Sequence, residues 1–98
     1  MPRYVMLGKH HPKWVGRQLA RTATVYEKFK ELGIKMEYSN YVQGPYDFVG
    51  IVEAKDPQAF LAFSIWYRMN NFGHIVTMPA FKRDEFEEAG RRAGVKGT

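Results

Sequence analysis

The sequence predicts an α+β fold in which two helices cover one face of a four-stranded antiparallel sheet. Three observations carry this reading. Short apolar segments of strand length alternate with two longer stretches of helical period. A Gly44-Pro45 turn joins the two middle strands directly. The resulting order is β-α-β-β-α-β with one further short helix at the end.

The first strand is Arg3–Gly8, rich in Tyr, Val, Met and Leu and closed by the polar run Lys9-His10-His11-Pro12. Pro12 suits a first helical turn, and Val15, Leu19, Thr22, Tyr26 and Phe29 follow at spacings of three and four up to Leu32 and the stop residue Gly33. One long helix with a single core stripe is expected there. Lys35–Gln43 alternates, with Met36, Tyr38, Asn40 and Val42 on one side and Glu37, Ser39, Tyr41 and Gln43 on the other. After the Gly44-Pro45 turn, Tyr46–Glu53 forms the third strand and completes a hairpin.

Asp56-Pro57 starts the second helix, because Asp caps free N–H groups and Pro has none to leave unpaired. That helix runs to Asn70-Asn71. Its residues Phe60, Leu61, Phe63, Ile65, Trp66, Tyr67 and Met69 spread over more than one face, which predicts contacts on two sides. Gly73–Phe81 is the fourth strand. Asp84–Arg92 is a short amphipathic helix with Phe86 turned inward and with Glu87–Arg91 and Glu88–Arg92 pairs, followed by a loose tail at 94–98. This order is the ferredoxin-like split βαβ unit, with a spatial strand order of 4-1-3-2. The 98 residues are read as a single domain with its core at 3–81.

Composition removes whole classes of chemistry. With no cysteine there is no disulfide, no thiolate nucleophile, no iron–sulfur cluster and no sulfur-ligated zinc. Gly-rich phosphate loops, G-x-S-x-G elbows and His-Glu-x-x-His pairs are also missing. The net charge of +5 divides as +6 over residues 1–35, −2 over 36–81 and +1 over 82–98. Lys13, Arg17 and Arg21 recur every fourth residue and predict one basic helix stripe, read as a solvated face rather than a phosphate site. A soluble, cytoplasmic chain without a membrane span is expected.

The strands carry a further expectation. Tyr46–Val52 is mostly apolar on both sides, as are Tyr4/Met6 against Val5/Leu7 and Val76/Met78 against Ile75/Phe81. The chain's own helices cover only one sheet face. A second copy is therefore expected on the other, giving a homodimer, with higher homo-oligomers left open.

The stretch Gly44-Pro45-Tyr46-Asp47-Phe48-Val49-Gly50-Ile51-Val52-Glu53-Ala54-Lys55-Asp56-Pro57 resembles the GYD-domain family, whose signature is G-x-Y-D-F-V, an apolar strand, Glu-Ala and an Asp-led helix. Pro2–Gly8 and Val76–Phe81 are also similar to that family, so the resemblance covers roughly residues 2–81. It implies a ferredoxin-like protomer of the dimeric α/β-barrel type, and no particular activity. The same stretch is similar to the small ligand-sensing domains of leucine-responsive regulators, which implies dimers that bind small molecules near their interface.

Site candidates follow from these placements. A small apolar or aromatic ligand is expected between sheet and helices, with Tyr4, Met6, Phe48, Trp66 and Met78 as walls and Tyr46, Asp47 and His74 as polar contacts. For Asp47, a structural role accepting hydrogen bonds from the turn amides is the simpler reading. His10, His11 and His74 are expected to meet where the first and fourth strands end, although their spacing carries no metal signature and no metal or other cofactor is assigned. Trp66, Tyr67, Asn70, Asn71 and His74 invite comparison with small dimeric α/β-barrel monooxygenases and haem-binding enzymes, the alternative reading. A structural or interaction dimer without a ligand is another. Nucleic acid is not expected: Asp47 stands where an RNA-recognition strand wants a small residue, although Tyr4, Tyr46 and Phe48 echo its base-stacking aromatics.

Overall fold

A computed structural model describes residues 1–96. The elements are β1 (Arg3–His10), α1 (Gln18–Leu32), β2 (Ile34–Tyr41), β3 (Phe48–Ala54), α2 (Pro57–Met69), β4 (Gly73–Pro79) and α3 (Arg83–Arg92). The sheet order is β2-β3-β1-β4 and every pair is antiparallel. This is the ferredoxin-like arrangement predicted above. Of the tail expected at 94–98, positions 97 and 98 lie outside the described residues. No helix is long and apolar enough to cross a membrane.

The core lies between the helices and one sheet face. Met6, Phe48, Val52 and Ala54 of the sheet meet Val25 and Phe29 of α1 and Ala59, Phe60, Phe63 and Tyr67 of α2. The aromatic side chains form a chain of contacts, with Phe63 4.6 Å from Phe29 and 5.6 Å from Tyr67 between ring centroids. Asp56 caps α2 as predicted, its Oδ1 accepting the Ala59 N–H at 2.7 Å, with Pro57 at the first helical position.

The long first helix is replaced by two pieces. Pro12–Trp14 makes a single 3-10 turn, capped by His11, whose Nδ1 accepts the Lys13 N–H at 3.1 Å. Gly16 then takes φ +80 and breaks the run before α1 begins. Trp14 explains the break. Its ring stacks on Phe72 at 4.9 Å and its Nε1–H donates to the Asn71 carbonyl at 3.0 Å, which ties the turn to the far end of α2. Val15 and Leu19 of the expected stripe are consequently 76% and 88% exposed. The inward stripe is Arg21, Val25 and Phe29, again at a spacing of four.

β2 also departs from simple alternation. Met36 pairs with Val52 but Tyr38 pairs with Ile51, so Glu37 is an extra residue in a bulge. Past it the faces exchange: Ser39 and Tyr41 join Met36 on the helix side, opposite Gly50 and Phe48, and Tyr38 and Asn40 turn to the open side. The carboxylate of Glu37 meets Arg3, accepting from Nη2 at 2.6 Å and from Nε at 3.2 Å. This bidentate pair raises the Arg3 pKa and holds Glu37 below the usual carboxylate value, chiefly through its hydrogen bonds.

The open sheet face is apolar, as the strand pattern requires. Registers place Val5, Leu7, Val49, Ile51, Val76 and Met78 together on it, with Tyr38 at one side. On α3, Glu88 pairs with Arg92 as expected, but Arg91 also pairs with Glu88, and Glu87 takes Arg83. Phe86 does not turn inward. It is 75% exposed and α3 has no buried residue, because the helix leaves the sheet edge without folding back on the core. Along α2, Leu61, Ile65 and Met69 form an exposed second stripe, so the chain's own fold covers only one of the two sides expected to make contacts.

Candidate functional site

A narrow cleft opens between α1 and the β2–β3 half of the sheet. Phe48 begins β3 opposite Gly8 of β1. Two basic groups approach its ring: the His10 imidazole, centroid to centroid at 5.4 Å, and the Arg21 guanidinium, 5.4 Å from the ring centre. Arg21 belongs to the buried stripe of α1 and is only 5% exposed. Its Nη1 reaches the Tyr67 hydroxyl at a long 3.5 Å.

Among the described residues, Arg21 has no carboxylate within ion-pair distance. Its Nε and the Nε2 of His10 are both buried without a hydrogen-bond partner. This charge marks its surroundings. Burial, and then the Arg21 charge, lower the His10 pKa. Burial raises the phenol pKa of Tyr67, with Arg21 acting in the opposite direction.

Met6, Val25, Phe29 and Phe63 form the apolar walls, and Thr22, Tyr26, Ser39 and Tyr41 stand among the remaining lining residues. The Thr22 and Tyr41 hydroxyls lie 3.2 Å apart and link α1 to β2 across the cleft. The enclosed volume is about 30 Å³, room for about one water molecule.

Asp47 organises the neighbouring sheet end. Its Oδ2 accepts the His10 N–H at 2.7 Å and its Oδ1 lies 3.8 Å from Lys9 Nζ. Its own N–H donates to Gly8 and its carbonyl accepts from Val42. The His10 amide is the main cause of its lowered pKa. Asp47 therefore fastens the β2–β3 loop to the end of β1, instead of accepting from the turn amides of residues 44–46 as its sequence position suggests.

The remaining candidates fall in separate places. Met6 and Phe48 line the cleft. Tyr4 stacks on Phe60 at 4.5 Å, and Trp66 packs on Phe72 at 4.9 Å, both on the helix side of the sheet. Tyr46 sits half-buried in the loop. His74 and Met78, paired with Lys9 and Val5, belong to the opposite sheet face. Alternation separates the histidines as well: His10 faces the helices, His74 the open side, and His11 caps the 3-10 turn. The described residues contain no group of three or more side chains able to hold a metal ion. The oxygenase-like set is likewise dispersed, for Asn70 Nδ2 donates to the Trp66 carbonyl while His74 lies across the sheet. Tyr4 and Phe48 pack toward the helices.

Sequence reasoning misses Arg21 as a residue of this cleft and names Tyr67 only within the oxygenase-like set. It places Arg21 on a solvated stripe with Lys13 and Arg17, yet those two flank the Trp14 ring at 5.2 and 5.0 Å, on the other side of or next to the break at Gly16. The available signal was the spacing of Arg21 with Val25 and Phe29.

The family model described as the GYD domain matches residues 4–89. The chain belongs to the GYD family. In this GYD protein the match takes in all four strands from residue 4 and both covering helices and extends into α3, past residue 81 where the sequence resemblance ends. A search of curated proteins finds no match. Solved structures share the fold. FFRP-DM1 is 19% identical over 83% of this chain and 100% of its own, with a TM-score of 0.55. TTHA0845 from Thermus thermophilus is 23% identical over 84% of this chain and 95% of its own, with a TM-score of 0.53. The 30S ribosomal protein S6 from Thermotoga maritima is 15% identical, covers 95% of this chain and 97% of its own, and has a TM-score of 0.62.

Proposed function

We propose that this GYD protein is a homodimer that binds a small apolar or aromatic molecule between its helices and its sheet. The observation that carries the ligand reading is the cleft at Phe48, where aromatic and aliphatic walls surround a few converging polar groups, the usual make-up of a small-molecule site. The dimer reading is supported by the open sheet face, where Val5, Leu7, Val49, Ile51, Val76 and Met78 form one apolar surface. The exposed Phe81 and Phe86, beyond the end of β4, are further apolar area that a partner could cover.

A second reading is favoured by the volume of the cleft. At about 30 Å³ the interior is nearly filled by the chain's own side chains, as in a structural or interaction dimer that takes no ligand.

Native mass spectrometry and analytical ultracentrifugation of the wild type and Ile51→Lys test the assembly. The wild type is expected as a dimer, and Ile51→Lys as a folded monomer with an unchanged circular dichroism spectrum. A wild type that is monomeric at micromolar concentration overturns the dimer. Methyl and aromatic NMR shifts of Met6, Val25 and Phe63 during titration with indole and benzoate test the cleft: saturable changes support the ligand reading, and flat responses leave the structural dimer as the function.

A further inference from the structure

Arg21 is a permanent charge that no carboxylate of the described residues balances. A guanidinium does not deprotonate, so burial cannot be relieved by losing the proton. Buried charges are ordinarily paired with an opposite charge or satisfied by several hydrogen bonds. Here the 95% buried group has one long contact to Tyr67 and the face of Phe48, and its Nε is unpartnered among the described residues. Asp47, which also lies beside His10, is engaged by the His10 amide and directed toward Lys9.

The second unpartnered buried nitrogen, His10 Nε2, belongs to a ring stacked on the same Phe48. Two buried nitrogens without a partner thus approach a single phenyl ring, Arg21 from within the apolar cleft and His10 from the adjoining hollow that it lines with Pro12, Gln18 and Asp47. A purely structural interior is not expected to retain such a pair, since an apolar residue at position 21 would fill the space without the desolvation cost.

From this, and resting on the ligand reading above, we infer that the cleft takes a small organic acid. Its carboxylate pairs with Arg21 in the water-sized space of the cleft, and its apolar part takes the place opened between Thr22 and Tyr41, with His10 sensing the ligand through the shared Phe48 ring. A planar two-oxygen anion matches the guanidinium fork better than a spherical ion does. Entry requires the Thr22–Tyr41 hydroxyl contact to part. That contact is exposed and joins the last residue of an edge strand to a helix, so it is the least constrained side of the cleft.

The test compares matched acids and amides: acetate, butyrate and benzoate against acetamide, butyramide and benzamide. Each is titrated into the 98-residue chain while NMR follows the Arg21 Nε–H, the His10 ring and the cleft methyl groups. Saturable shifts of Arg21 and His10 with at least one acid, with its amide at least tenfold weaker, are expected. Arg21→Met should abolish the preference for the acid, and Arg21→Lys, which keeps the charge, should retain part of it. Equal binding of acid and amide at the cleft overturns the charge assignment and leaves the small-molecule reading standing. No response to either overturns both. Saturation by chloride at the same concentration as the acid, with no preference for the acid, overturns the assignment to a carboxylate.

Discussion

The ring of Phe48 lies directly over the backbone of Gly8, its partner across the β1–β3 ladder, so closely that a Cβ at position 8 would overlap it. The ring cannot swing aside freely, because the His10 imidazole and the Arg21 guanidinium also crowd it. Gly8→Ala should therefore destabilise the protein by about 1–3 kcal/mol, the usual range for overpacking. Phe48→Leu in the same chain should recover part of that loss. Chemical denaturation of the two single variants and the double variant measures the coupling.

Asp47 and His10 make the protein acid-sensitive through two groups whose folded pKa values are both lowered. As pH falls, the unfolded chain takes up each proton first, so stability is complete above the ordinary pKa and declines toward the folded one. The His10 share of the loss begins near pH 6.5 and the Asp47 share near pH 4. An NMR titration should place the His10 midpoint below about 6.5. Asp47→Ala should cost about 1–2 kcal/mol at neutral pH by leaving the His10 amide without its carboxylate, and the gap to wild type should narrow below about pH 4.

Arg21→Met should raise thermal stability, with a gain on the order of 1 kcal/mol or more, because an apolar side chain of similar length replaces a buried, unpaired charge. A residue that destabilises the fold where a simpler one would fit is the usual mark of a functional position. A loss of stability in this variant, measured by calorimetry, would show that the contacts with Tyr67 and Phe48 already compensate the charge.

Asp56→Ala should cost about 1 kcal/mol, since the Ala59 N–H then loses its capping acceptor at the start of α2. Asp56→Asn should lose much less. Urea unfolding of both variants separates a capping role from a purely electrostatic one.

Much of the architecture was legible in the chain. Gly44-Pro45 announced the hairpin, Asp56-Pro57 the second helix and Gly33 the end of the first, because each of these residues acts on its own backbone or on the next few. The doubly apolar strands announced an uncovered sheet face, which the registers of Val5, Ile51 and Val76 bear out. The tertiary structure decided three other things. Trp14 docks on Phe72, far along the chain, and with Gly16 replaces the expected continuous helix. The bulge at Glu37 exchanges the faces of β2, bringing Ser39 and Tyr41 to the cleft. The shortened helix then points Arg21 inward beside Val25 and Phe29. These outcomes depend on contacts between residues distant in sequence, whereas caps, turns and periodicity act locally. Local patterns therefore determined the elements and their order, and long-range packing decided which side chains those elements bring together around Phe48.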